Sequence, residues 1–165
     1  MDKKNITLIG MPGCGKSTVG VLLAKALGLQ FVDTDLLIQQ KYKKLLWQII
    51  AQEGPAVFKA KEAGVILSLG CERTCVATGG SVVYCDDAML HLKQISRLVF
   101  IDLPCDEIER RIADIKGRGV VIDKGKTLRE LYDERRPLYL RYADIVIDAQ
   151  GMGVEALLAA IMQRM

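Results

Sequence analysis

The sequence predicts an α/β fold, a three-layer sandwich in which helices cover both faces of a five-stranded parallel sheet. Three observations carry that prediction. Short apolar runs alternate with helical stretches along the chain, the pattern of strands buried on both sides. The first such run leads into Gly10-Met11-Pro12-Gly13-Cys14-Gly15-Lys16-Ser17-Thr18, which fits the G-x-x-x-x-G-K-[ST] pattern of a phosphate-binding loop between strand and helix. No repeat or linker interrupts the alternation, and 165 residues at 50% hydrophobic content are enough to bury one core, so residues 1–165 read as a single domain.

The elements follow in order. Ile6-Thr7-Leu8-Ile9 reads as a buried strand, and Val19, Leu22, Leu23, Ala26 and Leu27 form a helical stripe ended by Gly28. Phe31 to Asp35 reads as a second strand ending in two acids, followed by one helix from about 36 to 52. Gly54-Pro55 breaks that helix and starts the next, because proline suits a first helical turn; this one runs to about Leu69. Cys75-Val76-Ala77-Thr78 is a third strand, and Asp86 or Asp87 caps a helix reaching about Gln94. Leu98 to Asp102 is the fourth strand, and Ile108, Ile112 and Ile115 mark a helix from 106 to about 115. The stretch 116–126 holds three glycines and four cations with little apolar content, so it reads as a mobile loop, part of a lid over about 112–126. A helix starts at Thr127, and Arg135-Arg136-Pro137 predicts a break in it, since the residue before proline is pushed out of helical geometry. Ile145-Val146-Ile147 is the fifth strand, and Val154, Leu157, Leu158 and Ile161 define the last helix.

Composition narrows the classes of function. A net charge of +3, 5% aromatic residues and no basic stripe argue against nucleic acid. No apolar run approaches the roughly 20 residues needed to cross a bilayer. Met1-Asp2-Lys3-Lys4 shows no signal pattern, so a cytoplasmic location and a monomer are expected. The five cysteines (14, 71, 75, 85 and 105) have irregular spacing and read as small buried hydrophobes rather than a disulfide or metal framework. His91, the only histidine, lies in a polar helical stretch and reads as solvated.

The chemistry starts at the loop. Backbone amides of Gly13, Cys14, Gly15, Ser17 and Thr18 suit phosphate oxygens at a helix start, Lys16 suits the β- and γ-phosphates, and the Ser17 hydroxyl suits Mg²⁺. The implied ligands are ATP and Mg²⁺. Asp33 and Asp35, two apart at a strand end, suit one carboxylate in the Mg²⁺ shell and one orienting or deprotonating an attacking hydroxyl; helix-capping aspartates are the alternative. Glu62 falls on the inward stripe of Phe58, Val65, Ile66 and Leu69, with Lys59 at its edge, and an inward charge needs a partner or a ligand. Arg135 stands where the stripe of Leu128, Leu131 and Tyr132 calls for an apolar residue, and its planar guanidinium suits a carboxylate substrate. Gly79-Gly80-Ser81 allows backbone amides close to a ligand. Arg118, between two glycines, is placed to fold over the phosphates.

Taken together these residues resemble the shikimate kinase family over nearly the whole chain: the phosphate loop, Asp33-Thr34-Asp35, Phe58-Lys59-x-x-Glu62, Gly79-Gly80, Arg118 and Arg135-x-Pro137-Leu138-Tyr139. The resemblance implies the P-loop kinase fold with strand order 2-3-1-4-5 and transfer of the ATP γ-phosphate to the 3-hydroxyl of shikimate with Mg²⁺. By position it implies that Asp35 contacts the substrate hydroxyls and acts as the base, and that Asp33 supports Mg²⁺ through water. Arg135 would hold the substrate carboxylate, Lys59, Gly79 and Gly80 would line its site within an acceptor region of about 35–65 and the following strand end, and Arg111 would flank the adenine. Three positions depart from the family pattern: Lys59 for an arginine, Ser81 for a third glycine, and Gly119 for the proline after the lid arginine. All three fall on the acceptor side, so kinases of other hydroxylated acceptors (homoserine, gluconate) and a nucleotide-binding regulator without turnover are the rival expectations.

Overall fold

The computed structural model describes residues 5–113 and 125–165. Five parallel strands form one sheet in the order β2-β3-β1-β4-β5, where β1 is Asn5–Ile9, β2 Gln30–Asp33, β3 Thr74–Ala77, β4 Ser96–Asp102 and β5 Ile145–Asp148. All five residues of β1 are buried, because it pairs with β3 on one side and β4 on the other while helices cover both faces. The chain leaves β1 for β2 on one side and returns for β4 on the other, so a crevice opens at the carboxyl end of β1, where open α/β sheets bind ligands.

The helices are α1 (Lys16–Leu27), α2 (Thr34–Tyr42), α3 (Leu46–Glu53), α4 (Pro55–Leu67), α5 (Asp86–Ile95), α6 (Cys105–Ala113), α7 (Leu128–Tyr142) and α8 (Val154–Arg164). The main core gathers on the central strands, with Leu8, Ile9, Val99 and Phe100 at 0–1% exposure. A second, smaller cluster joins α2, α3 and α4 through Ile38, Ile49, Phe58 and Val65.

Four sequence expectations are corrected. The single helix over 36–52 is two helices, split at Lys43, whose φ of 56° is left-handed. On one unbroken helix Ile38 and Ile49 would stand about 16 Å apart along the axis; the turn folds α3 back so that both reach Phe58 and Val65. The second strand ends at Asp33, and Thr34 and Asp35 already belong to α2. The break expected at Arg136-Pro137 does not occur: Pro137 lies inside α7, which continues to Tyr142. Proline deprives one carbonyl of its donor, but Leu131, Arg135, Tyr139 and Tyr142 are buried along one face, and Tyr139 stacks on Phe100 with ring centroids 5.0 Å apart. His91 is also not solvated; its ring Nε2 lies 2.9 Å from the Leu69 carbonyl oxygen and the side chain is half-buried. The cysteines are all free; Cys14, Cys75 and Cys105 are buried and Cys71 and Cys85 partly so. Among the described residues no group of three or more His, Cys, Asp or Glu comes together to hold a metal, and no helix is long and apolar enough to cross a membrane.

Candidate active site

The loop after β1 turns through left-handed glycines, Gly13 (φ 79°) and Gly15 (φ 99°), conformations that exclude most side chains. Gly15 starts α1 without a side-chain cap, leaving the first amides of the helix for an anion. Lys16 is 7% exposed, and its ammonium donates to the carbonyls of Gly10 (2.8 Å) and Met11 (2.9 Å), which holds the charge over the loop. Cys14 is fully buried, so only its backbone can serve a ligand. Arg111 on α6 overhangs the loop, with Nη1 3.9 Å from where a Gly15 Cβ would stand.

Across the mouth of the loop, Ser17 Oγ donates to Asp33 Oδ2 at 2.6 Å. The other Asp33 oxygen accepts from the Asp35 amide at 2.9 Å, so Asp33 caps α2 while facing Ser17. The helix-capping role of this acid is seen directly, and it lines the same cleft as Ser17. Thr34 Oγ1 accepts from the Gly79 amide at 3.2 Å and ties the start of α2 to the end of β3. That tie leaves no room for a side chain at Gly79, where a Cβ would fall 3.0 Å from Asp35 Oδ1 and overlap Glu62 Oε1. At Gly80 a Cβ would meet Pro12 of the loop at 2.8 Å and Arg135 Nη1 at 3.1 Å. Gly79 and Gly80 thus form a thin wall between the phosphate loop and three charged side chains.

Glu62 and Arg135, both 1% exposed, are the inward charges that the helical stripes pointed to. Glu62 Oε2 accepts from Ser81 Oγ, and Oε1 has no hydrogen-bond partner among the described residues. Burial, reinforced by Asp35, pushes its carboxyl from 4.5 up to about 7, while the Ser81 hydrogen bond and the charges of Arg135 and Lys16 pull the other way. Arg135 Nε donates to Tyr84 Oη at 3.2 Å. Its neighbour Arg136 turns to the far side and makes a bidentate pair with Asp102, with Nε 3.1 Å from Oδ1 and Nη2 2.7 Å from Oδ2.

These parts share one cleft of about 360 Å³. It is lined by Gly13, Gly15, Lys16, Ser17 and Thr18 on one side and by Asp33, Asp35, Glu62, Gly79, Gly80, Ser81 and Arg135 on the other. Lys59 does not line it; its ammonium stands 4.5 Å from the centroid of the Tyr84 ring. Arg118 and most of the expected lid lie outside the described residues. Two features went unread in the sequence. Tyr84 sits in a 3₁₀ turn (Val82–Tyr84) with no period to expose it. The other is an apolar rim of Leu36, Leu45, Leu46 and Trp47 on the acceptor side, visible only once α3 folds back.

A parallel sheet of this order, with a phosphate cradle at its crevice and acids and an arginine facing it, defines a small-molecule kinase that uses a nucleotide. A family model described as shikimate kinase matches residues 12–165. The shikimate kinase of Nostoc punctiforme is 42% identical over 151 residues, 88% of this chain and 81% of that protein. That of Persephonella marina is 33% identical over 149 residues, 90% of each chain. Among solved structures, shikimate kinase from Acinetobacter baumannii in complex with shikimate superposes with a TM-score of 0.88 at 30% identity, covering 97% of this chain and 91% of that one. The enzyme from Aquifex aeolicus gives 0.81 at 31% identity, covering 96% and 94%. The chain belongs to the shikimate kinase family.

Proposed function

We propose that this enzyme transfers the γ-phosphate of ATP to the 3-hydroxyl of shikimate, with Mg²⁺, in the cytoplasm and as a monomer. One observation carries the reading: Asp35, Glu62 and Arg135 converge on Gly79-Gly80 directly opposite Lys16 and the phosphate loop, within one cleft. The free cysteines suit a reducing compartment.

The residues divide the work. Lys16 and the amides of residues 13–18 hold the phosphates, and Arg111 covers the nucleotide side. Ser17 and Asp33 present hard oxygen donors that suit Mg²⁺, Ser17 directly and Asp33 through water. The ion would supply charge neutralisation at the β- and γ-phosphates. Asp35 takes the acceptor hydroxyl proton and aims the oxygen in line, because the start of α2 fixes it against Gly79. Arg135 binds the acceptor carboxylate from its buried seat, with Lys59, Gly79 and Gly80 completing the acceptor site.

The test is ATP consumption by the purified enzyme with shikimate, homoserine and gluconate offered separately. ADP should form with shikimate alone. Consumption restricted to another acceptor overturns the substrate assignment, and ATP binding without consumption in any arm overturns the enzymatic reading.

A further inference from the structure

The acceptor side gathers two cations on one aromatic ring. Lys59 Nζ lies 4.5 Å from the Tyr84 centroid and Arg135 Cζ lies 5.1 Å from it. The same tyrosine binds Arg135 through its edge, its hydroxyl accepting from Nε at 3.2 Å and donating to Glu134 Oε1 at 2.6 Å. Glu134 in turn accepts from Lys126 at 2.5 Å. The half-buried Tyr84 is therefore fixed from one side and grips Arg135 on the other. A guanidinium has five donors in a rigid plane. With Nε committed to Tyr84, the plane is set and an Nη group faces Gly80 and the cleft.

Two like charges on one ring repel each other. The negative face of an aromatic ring offsets that repulsion by attracting each cation. Burial, and next the Glu134 carboxylate, push the Tyr84 hydroxyl up, so it stays a donor to Glu134.

We propose that Tyr84 is the positioning residue of the acceptor's anion site: it fixes the guanidinium plane of Arg135, gathers Lys59 beside it, and thereby sets the preference for an acceptor bearing a carboxylate. This rests on the function proposed above. Tyr84 touches neither nucleotide nor reacting atoms, so its removal acts on acceptor affinity alone.

The test compares wild type, Tyr84→Phe and Tyr84→Leu with ATP and two acceptors, shikimate and its carboxamide. Tyr84→Phe keeps the ring and loses the hydroxyl; the shikimate KM should rise about tenfold, the loss of one hydrogen bond to a charged group. Tyr84→Leu also loses the ring face, and the rise should reach about 50-fold. In both variants kcat at saturating shikimate, the KM for ATP and the KM for the carboxamide should stay within about twofold of wild type. A general packing role would raise both acceptor constants together, and that result overturns the proposal. Unchanged shikimate KM in Tyr84→Phe also overturns it, which keeps the test decisive if Tyr84→Leu does not fold. A wild type that phosphorylates no carboxylate-bearing acceptor removes the functional reading and this one together; active wild type with unaltered Tyr84 variants removes this one alone.

Discussion

Replacing Glu62 by glutamine would measure what it costs to hold a carboxyl beneath Gly79. The side chain is 1% exposed; one oxygen accepts from Ser81 and the other has no hydrogen-bond partner among the described residues. Burial chiefly, with the Asp35 charge adding to it, raises the folded carboxyl from 4.5 to about 7 against the pull of Ser81, Arg135 and Lys16. Between those two pH values the folded chain binds a proton that the unfolded chain has already released. The stabilising contribution is therefore complete below pH 4.5 and is lost as pH rises through 7. At about 1.4 kcal/mol per pH unit the gap amounts to about 3 kcal/mol. Glutamine keeps the shape and an acceptor for Ser81 but carries no titrating proton. The stability of Glu62→Gln relative to wild type should thus improve by about 3 kcal/mol between about pH 4.5 and 8, with most of the change complete near neutrality. Urea denaturation followed by circular dichroism, at closely spaced pH values and without ligands, reads this directly. A difference constant within about 0.5 kcal/mol over that range would refute the claim that burial governs Glu62.

Three further outcomes test the site. Asp35→Asn should lower kcat with shikimate by about 100-fold or more while the KM for ATP stays within about twofold, measured by coupled ADP formation; near-normal turnover removes Asp35 as the base. Gly79→Ala places a methyl group 3.0 Å from Asp35 Oδ1 and against the Glu62 carboxylate. Displacing both acids should cost about 100-fold in kcat/KM for the acceptor and leave ATP binding by equilibrium dialysis intact. Trp47, the only tryptophan, is 52% exposed on the acceptor rim; saturating shikimate should move its emission to shorter wavelengths, and an unmoved spectrum places the acceptor elsewhere.

How much of this was legible depends on how each part is encoded. The phosphate cradle is built from backbone, so it requires glycines and a lysine at fixed offsets within nine residues, and its sequence and its structure coincide. Glu62 and Arg135 showed themselves as charges on apolar stripes, and burial at 1% explains why. Asp33 and Asp35 both line the cleft, by a geometry other than the one the sequence suggests. Strand alternation was the argument, yet Asp35 reaches Gly79 from the first turn of a helix that Asp33 caps. The split at Lys43 left no trace, since lysine is an ordinary helix residue and its left-handed φ is imposed by the cluster around Phe58. Pro137 misled for the complementary reason: local geometry argued for a break, and the buried face of Arg135 and Tyr139 overrode it. Tyr84 was invisible because its partners come from α4 and α7, and a three-residue 3₁₀ turn has no periodicity.

Two of the three departures from the family pattern, Ser81 and Lys59, acquire an explanation in these contacts; Gly119 lies outside the described residues. Ser81 in place of glycine donates to Glu62, so the added hydroxyl satisfies one oxygen of a carboxylate that would otherwise be buried beside Asp35 without it. Lys59 in place of arginine cannot make a bidentate fork, and its ammonium stands over the ring of Tyr84, which also carries Arg135. Ser81 and Lys59 therefore each have a contact in the acceptor region: Ser81 with Glu62 and Lys59 with the Tyr84 ring. Such paired exchanges preserve an anion-binding site and alter how it is held, which is the pattern expected when the acceptor's carboxylate stays the same and its supports are rebuilt.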